Sequence, residues 1–309
     1  MKRIYLITGV AGFIGSHIAE ELLKDSNNFI VGIDNFYSGN KENLNILKGE
    51  NFKFYEGDIR NFELLKEIIF THKVQYVFHE AAIASVQKSI KDPLFTNEVN
   101  VKGTLNVLES CRLGSVKRIV FASSAAVFGS EPILPKTENS KVAPISPYGY
   151  EKLIGEHYMD LYNNLYGLET VILRYFNVYG ERQDPSSEYS GVISIFEDNF
   201  KKNKCPIIFG DGIQYRDFIY VKDIVRANIM AIHQESNNMM RFICCGTNIK
   251  TSLNKLFDIL KDKYNKDWEV IYKEARVGDI KESICDNRKL IKLLGNNELM
   301  KFEEVIWGL

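Results

Sequence analysis

The chain has 309 residues, of which 45% are hydrophobic and 26% charged, a composition close to the average for globular proteins and long enough for one large domain or two modest ones. No apolar stretch is long enough to span a bilayer, and the apolar run before Thr8 is too short for a signal-peptide core, so we expect a cytoplasmic protein. The formal net charge of -1 provides no basic field for phosphate backbones, which argues against nucleic acid as a partner.

The cysteines give no sign of a metal site or a disulfide framework. The five are Cys111, Cys205, Cys244, Cys245 and Cys285. They show neither CxxC spacing nor nearby histidine partners. We interpret them as reduced thiols of the core.

The first half of the chain alternates short apolar runs with helical patterns. The predicted strands are residues 4–8, 29–33, 52–55, 76–79, 118–122 and 170–174. The predicted helices are residues 13–25, 61–72, 95–113 and 147–166. Strands that are apolar without alternation are typical of a sheet covered on both faces. The pattern therefore predicts an α/β fold with a doubly wound parallel sheet of the Rossmann type.

The rhythm changes after Gly180, where a polar stretch is followed by mixed short elements. We expect residues 1–177 to form a dinucleotide-binding domain and residues 178–309 to form mainly a second, smaller α/β domain for the substrate. Residues 217–246 are expected to return to the first domain, because 218–221 and 242–245 have the composition of buried strands.

A glycine-rich turn follows the first predicted strand and opens the first predicted helix. Gly9, Gly12 and Gly15 allow the backbone to turn tightly and to approach a pyrophosphate, and the positive end of the helix then faces the phosphates. Glycine-rich turns also occur for structural reasons alone. This context, between strand and helix, favours dinucleotide binding.

Two acids follow the next two predicted strands. Asp34 lies 19 positions after Gly15, and its carboxylate can accept hydrogen bonds from both hydroxyls of an adenosine ribose but would repel a 2′-phosphate. NAD is therefore favoured over NADP. Asp58, after the third strand, lies where an adenine amino group could be bound. The alternative for Asp34 is a turn acid at the end of a strand.

Tyr148 and Lys152 are spaced to share one face of a helix. A lysine ammonium beside a tyrosine stabilises the phenolate, so Tyr148 becomes a usable base near neutral pH. An isolated Tyr-x-x-x-Lys pair is more often a solvated helix face. Here Ser124 closes the fifth predicted strand at the edge of the sheet where ligands bind, and its hydroxyl can hold the reacting oxygen.

Four further stretches accompany these motifs: His79-Glu80-Ala81-Ala82, residues 97–104, residues 174–180 and Arg216-Asp217-Phe218. In their order and spacing, and over nearly its whole length, the chain resembles the nucleotide-sugar epimerases and dehydratases of the extended short-chain dehydrogenase/reductase family. The resemblance implies NAD as cofactor, a UDP-sugar as substrate, no metal, and a homodimer formed through the helices near 95–113 and 147–166.

The resemblance also implies individual contacts. Beside the three glycines, Tyr148 and Lys152, the implied cofactor contacts are Phe13, Ile14, Asp34, Asn35, Asp58, Ile59, Ala81, Ala82, Asn100 and Tyr175. The implied substrate contacts are Ala84, Ser124, Tyr148, Asn177, Gln183, Gly191, Val192, Phe209, Arg216, Arg276, Asp279 and Ser283. Asn177, Arg216 and Arg276 match positions that bind the nucleotide diphosphate, and Asp279 matches an acid near the nucleotide ribose.

The residues after Ser124 indicate the type of reaction. The 4,6-dehydratases of the family typically carry an acidic pair there and the decarboxylases a glutamate, whereas this chain has Ala125 and Ala126. The resemblance thus implies C4 epimerisation of a UDP-hexose through a 4-keto intermediate, with Ser124, Tyr148 and Lys152 as catalytic residues. A dehydratase or decarboxylase, and a non-catalytic NAD-sensing protein, are the alternatives.

The sugar is predicted from the space around Ser283. A small residue at this position is associated with N-acetylated sugars in the family, and Ala84, Gln183 and Gly191 resemble the UDP-N-acetylglucosamine 4-epimerases of bacterial surface-polysaccharide biosynthesis. We expect the UDP-GlcNAc/UDP-GalNAc pair, with UDP-glucose/UDP-galactose as a second pair on the same machinery. The equal alternative is that Ser283 is only a loop residue.

Overall fold

The computed structural model describes residues 2–185, 191–236, 240–274, 282–295 and 297–308. In chain order, its strands are β1 (Arg3–Thr8), β2 (Asn28–Asp34), β3 (Phe52–Glu56), β4 (Tyr76–His79), β5 (Arg118–Ser124), β6 (Glu169–Tyr175), β7 (Asn177–Tyr179), β8 (Ile207–Phe209), β9 (Tyr215–Arg216), β10 (Phe218–Tyr220), β11 (Phe242–Cys245), β12 (Thr251–Ser252) and β13 (Ile271–Lys273). Seven of them form one sheet in the order β11-β6-β5-β4-β1-β2-β3. Every neighbouring pair in it is parallel.

Helices cover both faces of this sheet. The helices of the described chain are α1 (Phe13–Leu23), α2 (Phe62–His72), α3 (Val86–Lys91), α4 (Pro93–Asn97), α5 (Thr104–Leu113), α6 (Pro147–Tyr166), α7 (Val192–Lys201), α8 (Val221–His233), α9 (Leu253–Lys263), α10 (Arg288–Leu293) and α11 (Phe302–Gly308). Among them, α7, α9 and α11 pack with one another in a cluster outside this sheet. Ile7 of β1 packs in one apolar cluster with α1 and α8, whereas its neighbour Leu6 packs in another with α2, α5 and α6. Because both faces are covered, the strands have continuous apolar sequences, and the predicted doubly wound α/β fold is confirmed.

The strand order fixes where a ligand can bind. From β1 the chain builds β2 and β3 on one side and then crosses to β4, β5 and β6 on the other. The order therefore reverses between β1 and β4. In open α/β sheets the ligand crevice lies outside the carboxyl ends of the strands at such a point. Thr8, His79 and Ser124 end β1, β4 and β5 at this edge.

The predicted helix 95–113 is one continuous helical run whose central part is π-helical. Between α4 and α5, residues Glu98–Gly103 form a π-helical segment. Such segments are rare inside helices and are frequent at functional sites. This one contains Asn100, whose side chain reaches towards the segment that follows β4.

The remaining strands form three two-stranded sheets outside the central one. β7 pairs with β10, β8 with β13, and β9 with β12. They surround a third apolar cluster that includes Phe196, Phe200, Phe257 and Phe302. Of the two late segments that the sequence indicated as buried strands, 242–245 joins the central sheet beside β6, whereas 218–220 pairs with β7 and Val221 already belongs to α8.

Asp217 joins three segments of this second region. Its carboxylate is fully buried and accepts hydrogen bonds from the Thr247 N–H and hydroxyl (2.6 and 2.7 Å), the Asn248 N–H (3.0 Å) and the Cys285 N–H (3.1 Å). Burial raises the pKa of Asp217, and these bonds oppose the rise. Asp217 thus fixes the segment that carries Ser283 against the turn after β11.

All five cysteines lie within the described residues and are free, and only Cys205 among them is not fully buried. In the described part of the chain, no helix combines the length and apolar character needed to cross a membrane.

Candidate active site

The turn between β1 and α1 is packed too closely for side chains. Gly9 has a φ of +73°, and a Cβ on it would lie 2.9 Å from the Cα atom of Ala81. A Cβ on Gly15 would lie 2.3 Å from the carbonyl oxygen of Gly9. The turn therefore exposes bare backbone, as close approach of a pyrophosphate requires.

Helix α1 begins directly at this turn. Gly12 is its N-cap, and no side chain caps its first N–H groups. Gly12, Phe13, Ile14 and Gly15 line a cleft of about 440 Å³ that runs to Ser124 and Tyr148. Free N–H groups and the helix dipole together bind anions. These residues therefore fit the diphosphate of NAD.

Asp34 stands beside the turn at the end of β2. Its carboxylate accepts from the N–H groups of Ala11 (2.9 Å) and Phe36 (2.8 Å). Burial raises its pKa, and the backbone N–H groups oppose that rise. Each carboxylate oxygen can accept a second hydrogen bond. The arrangement is therefore compatible with the ribose contact, which stays a prediction.

The far end of the cofactor cleft is lined by Asn35, Asp58 and Ile59. Asp58 is more heavily engaged than the sequence suggested, because Asn35 donates to it (2.8 Å) and Arg60 binds both of its oxygens (2.9 and 2.7 Å). Arg60 is the main reason why the pKa of Asp58 is lowered. The adenine contact of Asp58 stays a prediction.

Two aromatic residues that the sequence analysis did not select enclose the same end of the cleft. Tyr37, after β2, and Phe95, in α4, have ring centroids 5.1 Å apart, and both line the pocket. No local pattern marks them, because they come from segments 58 residues apart in the chain.

The start of α6 places Tyr148 at the cleft. Ser146 is the N-cap and accepts from the N–H of Gly149 (3.1 Å), while Pro147 occupies the first helical turn. The N–H of Tyr148, which has no intrahelical partner at this position, donates to Ser89 (3.0 Å). These bonds fix the direction in which α6 leaves the sheet edge, and with it the position of Tyr148.

The three predicted catalytic residues lie together. Ser124 and Tyr148 both line the cleft, and a hydrogen bond between their hydroxyls lowers the pKa of Tyr148. The Lys152 ammonium donates to the carbonyl oxygen of Ala122 (2.7 Å) and lies 5.9 Å from the centroid of the Tyr148 ring. A phenol, a hydroxyl and an ammonium therefore meet at the carboxyl edge of β5.

The pKa values show that burial is the strongest influence at this site. Burial raises the pKa of Tyr148 to about 12, although the hydrogen bond with Ser124 opposes it. Burial lowers the pKa of Lys152 to about 8, and Glu80 is the first of the charges that oppose this. The sequence led us to expect that Lys152 would activate the phenol. In the protein alone, burial outweighs that effect.

A buried network supports α6 from behind. Glu151 accepts from Thr96 (2.6 Å) and Asn100 (2.6 Å). Asn100 also exchanges hydrogen bonds with the backbone of Ile83, 2.8 Å at its oxygen and 3.1 Å at its nitrogen. Asn100, predicted as a cofactor contact, thus connects α6 to the chain after β4. Glu151 adjoins Lys152 in the sequence, but its role becomes visible only through these distant partners.

His79 is a structural member of the site. Its ring nitrogens bind the hydroxyls of Thr8 (2.8 Å) and Thr104 (2.9 Å). Burial lowers the pKa of His79 to about 3, so it is neutral at physiological pH. It links β1, β4 and α5 beneath the cleft.

Apart from Ser124, Tyr148 and Ser283, the predicted substrate residues fall into three groups. Ala84, Asn177, Gln183, Gly191 and Val192 line the cleft together with Ala81, Ala82 and Tyr175 of the predicted cofactor set. Phe209 and Arg216 lie on β8 and β9, outside the residues that line it. Arg276 and Asp279 are outside the described residues.

Ser283 lines a side cavity of about 280 Å³, which also contacts Ala125 and Phe176. Phe176 lines the main cleft as well, so the side cavity adjoins the cleft that Ser124 and Tyr148 line. Lys136 is another lining residue that sequence reasoning missed, and its N–H donates to the Ile284 carbonyl (2.9 Å). Ser283 itself is half-buried beside this cavity, and its N–H donates to the Tyr215 carbonyl (3.3 Å). Its influence on the choice of sugar stays a prediction.

The glycine turn lies where the strand order of the Rossmann sheet reverses, and the Ser-Tyr-Lys group lies across the cleft from it. This combination defines an NAD-dependent enzyme of the short-chain dehydrogenase/reductase class. Comparison with known proteins agrees, because the NAD dependent epimerase/dehydratase family matches residues 5–242. The chain belongs to this family, and the prediction of NAD as cofactor is confirmed.

Three relatives illustrate the similarity. A protein of Methanocaldococcus jannaschii, provisionally named UDP-glucose 4-epimerase, is 46% identical over 285 residues, 92% of this chain and 90% of its own. The UDP-glucose 4-epimerase of Thermotoga maritima, solved with UDP-glucose, is 38% identical with a TM-score of 0.92, covering 98% of this chain and 96% of that one. The UDP-N-acetylglucosamine 4-epimerase of Methanobrevibacter ruminantium, solved with UDP-N-acetylmuramic acid, has the same identity and TM-score and covers 99% and 97%.

Proposed function

We propose that this protein is a UDP-sugar 4-epimerase that inverts C4 of a UDP-hexose by oxidation to a 4-keto sugar and reduction from the opposite face. The observation that carries the proposal is that Ser124 and Tyr148 line the same cleft as the glycine turn, with the buried Lys152 ammonium directly behind them, 5.9 Å from the centroid of the Tyr148 ring. NAD, when bound, supplies the oxidising and reducing power.

The protein's own residues manage the proton. Tyr148 takes the proton of the C4 hydroxyl as the carbon is oxidised and returns it when the ketone is reduced. The Ser124 hydroxyl, which is hydrogen-bonded to that of Tyr148, binds the same C4 oxygen of the sugar. Lys152 stabilises the phenolate by its charge, and its bond to Ala122 keeps the ammonium in place.

The absence of an acid directly after Ser124 supports epimerisation over dehydration. Ala125 and Ala126 follow it, and the Ala126 N–H donates to the Ser124 hydroxyl (3.1 Å). Loss of water from the neighbouring carbons needs a proton donor and acceptor there, and this segment provides neither. The ketone is therefore left to turn within the cleft and to be reduced again.

We further propose UDP-GlcNAc and UDP-GalNAc as the preferred pair, with UDP-glucose and UDP-galactose as the second. The Thermotoga and Methanobrevibacter relatives have the same sequence identity to this chain but are named for different sugars, so overall similarity does not select the sugar. The proposed preference for N-acetylated sugars is therefore based on the side cavity. Its volume and the small side chain of Ser283 beside Ala125 leave room for an acetamide group.

The test is product analysis after incubation of the holoenzyme with each UDP-hexose. We expect each substrate to reach a mixture with its C4 epimer, and kcat/KM to be higher for the N-acetylated pair. A 4-keto-6-deoxy product would identify a dehydratase, and release of CO₂ from a UDP-uronate would identify a decarboxylase. Absence of any product from NAD-loaded protein would contradict an enzymatic role.

We also propose a homodimer. Helices α4 to α6 expose apolar side chains that a partner could cover: Leu94 (82% exposed), Leu113 (38%), Leu161 (44%) and Leu165 (63%). Leu161 and Leu165 are four residues apart and lie on one face of α6. Several exposed apolar side chains on neighbouring helices are a feature of association surfaces, which supports this proposal.

A further inference from the structure

Glu80 places a carboxylate in the cleft immediately after β4. It lines the cleft together with Tyr148 and Tyr175, and its Oε1 accepts from the Tyr175 hydroxyl (3.0 Å). Asn228 donates to the same hydroxyl (2.7 Å) and to the Ile224 carbonyl (2.9 Å). A chain of hydrogen bonds from α8 through β6 therefore fixes the direction of the Glu80 carboxylate.

Three carboxylates contribute negative charge near Lys152: Glu80, Glu151 and Glu156. They differ in whether another side chain already binds them. Glu151 and Glu156, on its own helix, are engaged elsewhere: Glu151 binds the Asn100 network, and Glu156 forms a buried salt bridge with Arg174 (2.7 Å). On the sheet side of α6, His79 ends β4 and is neutral, and Glu80 follows it directly. In the parallel register of β4 and β5, His79 lies beside Phe121, so Glu80 follows at the level of Ala122, whose carbonyl oxygen binds the Lys152 ammonium (2.7 Å). Within the described residues Glu80 has no salt bridge, so its carboxylate is not neutralised by another cation at this edge.

The direction of each pKa agrees with this geometry. Burial raises the pKa of Glu80 to about 7, while the Tyr175 hydroxyl and Lys152 lower it. In turn, Glu80 is the charge that most opposes the lowering of the Lys152 pKa by burial. Loss of the Glu80 charge would therefore lower the pKa of Lys152 further.

We propose that Glu80 is a positioning residue of this active site, whose carboxylate, oriented by Tyr175, keeps Lys152 protonated and so extends the pH range in which Tyr148 serves as base. This inference rests on the proposed function for its link to turnover. The link between Glu80 and Lys152 does not depend on which sugar is used.

The direct test is titration of Lys152 in the NAD-loaded protein, followed by NMR of ¹³C-labelled lysine. The Lys152 resonance is identified as the one missing from Lys152→Met. In Glu80→Gln, whose amide oxygen still accepts from Tyr175, we expect the Lys152 midpoint to fall by about one pH unit or more. Glu80→Asp, which keeps the charge, should recover most of that shift.

A matched control removes a carboxylate elsewhere. Glu63→Gln, on the exposed face of α2, should leave the Lys152 midpoint unchanged. An unchanged midpoint in folded, NAD-loaded Glu80→Gln would overturn the proposal. If Glu80→Gln does not fold, Tyr175→Phe is the second variant, because it removes only the hydroxyl that donates to Glu80. The Lys152 midpoint must then fall in Tyr175→Phe as well.

Turnover provides the second measurement. The fall of kcat at high pH should begin about one unit lower in Glu80→Gln than in the parent protein. A parent protein without epimerase activity would contradict the proposed function, yet the lysine titration would still decide whether Glu80 controls Lys152.

Discussion

At Tyr148, burial and charge act in opposite directions. The phenol must be buried to exclude water from the reacting carbon, and this burial raises its pKa to about 12. A base of that kind is inactive near neutral pH unless positive charge is added. In the proposed mechanism, Lys152 and the oxidised nicotinamide of bound NAD would supply this positive charge. Base strength should therefore appear only when the cofactor is bound.

Ser283 allows the sugar preference to be tested. We expect Ser283→Tyr to fill the side cavity, because the phenol ring would occupy the space beside Ala125 and Phe176. The value of kcat/KM for UDP-GlcNAc should fall by about tenfold or more, while that for UDP-glucose changes little. Steady-state kinetics on both substrates measure the ratio.

The matched variant is Ser283→Ala, which removes the hydroxyl but keeps the space. It should retain the preference of the parent protein. Equal losses on both substrates in Ser283→Tyr would show that the cavity does not distinguish them.

At the scale of elements, the β1–α1 turn and the first turn of α6 hold the two halves of the site. The first depends on close backbone packing, and the second on the Ser146 cap and the bond from Tyr148 to Ser89. Neither depends on a long-range charge. This explains why local sequence motifs predicted both.

The glycine turn should not tolerate a side chain. In Gly15→Ala the new Cβ would meet the Gly9 carbonyl at 2.3 Å, so α1 must move away from the turn. Overpacking of this kind costs about 1–3 kcal/mol, so we expect NAD affinity to fall about tenfold or more. Isothermal titration with NAD measures it.

Gly308→Ala is the control, because no atom lies within 4 Å of a Cβ at that position. It should bind NAD as the parent protein does. Unchanged NAD affinity in Gly15→Ala would mean that the cofactor does not use this turn.

At the scale of the whole molecule, the sequence predicted the central sheet more completely than the second region. Continuous apolar runs indicate burial on both faces of a sheet, and this signal located all seven strands of the central sheet, including β11 at 242–245. The apolar run at 218–221 correctly indicated a buried strand, but it did not indicate which strand would pair with it. In the structure, β10 pairs with β7 and not with the central sheet. Hydrophobic pattern is local, whereas pairing depends on distant segments.

The same limit applies to the site. Tyr148, Lys152 and Ser124 could be found because their spacing has a chemical meaning. The spacing of residues in the sequence did not select Glu80, Tyr37 or the pairing of Asp58 with Arg60. The contacts of each depend on residues that come together only on folding. Glu80 was visible in the sequence as a charge directly after a buried strand, which is the one signal that could have selected it.

The proposed dimer makes a prediction of its own. Replacing Leu161 and Leu165 together by Glu places two charges on the exposed apolar face of α6. We expect light scattering to show a dimer for the parent protein and a monomer for this variant. Ile249→Glu, an exposed apolar position outside these helices, should remain dimeric. A monomeric parent protein, or a dimeric double variant, would contradict this interface.

The most direct test of the central claim is the turnover of Tyr148→Phe. The ring and its packing remain, and only the hydroxyl that Ser124 binds is lost, so the fold and the bound NAD should be unchanged. We expect kcat for epimerisation to fall by about 10²- to 10⁴-fold at equal NAD content. Turnover close to that of the parent protein, with NAD fully bound, would show that Tyr148 is not the base.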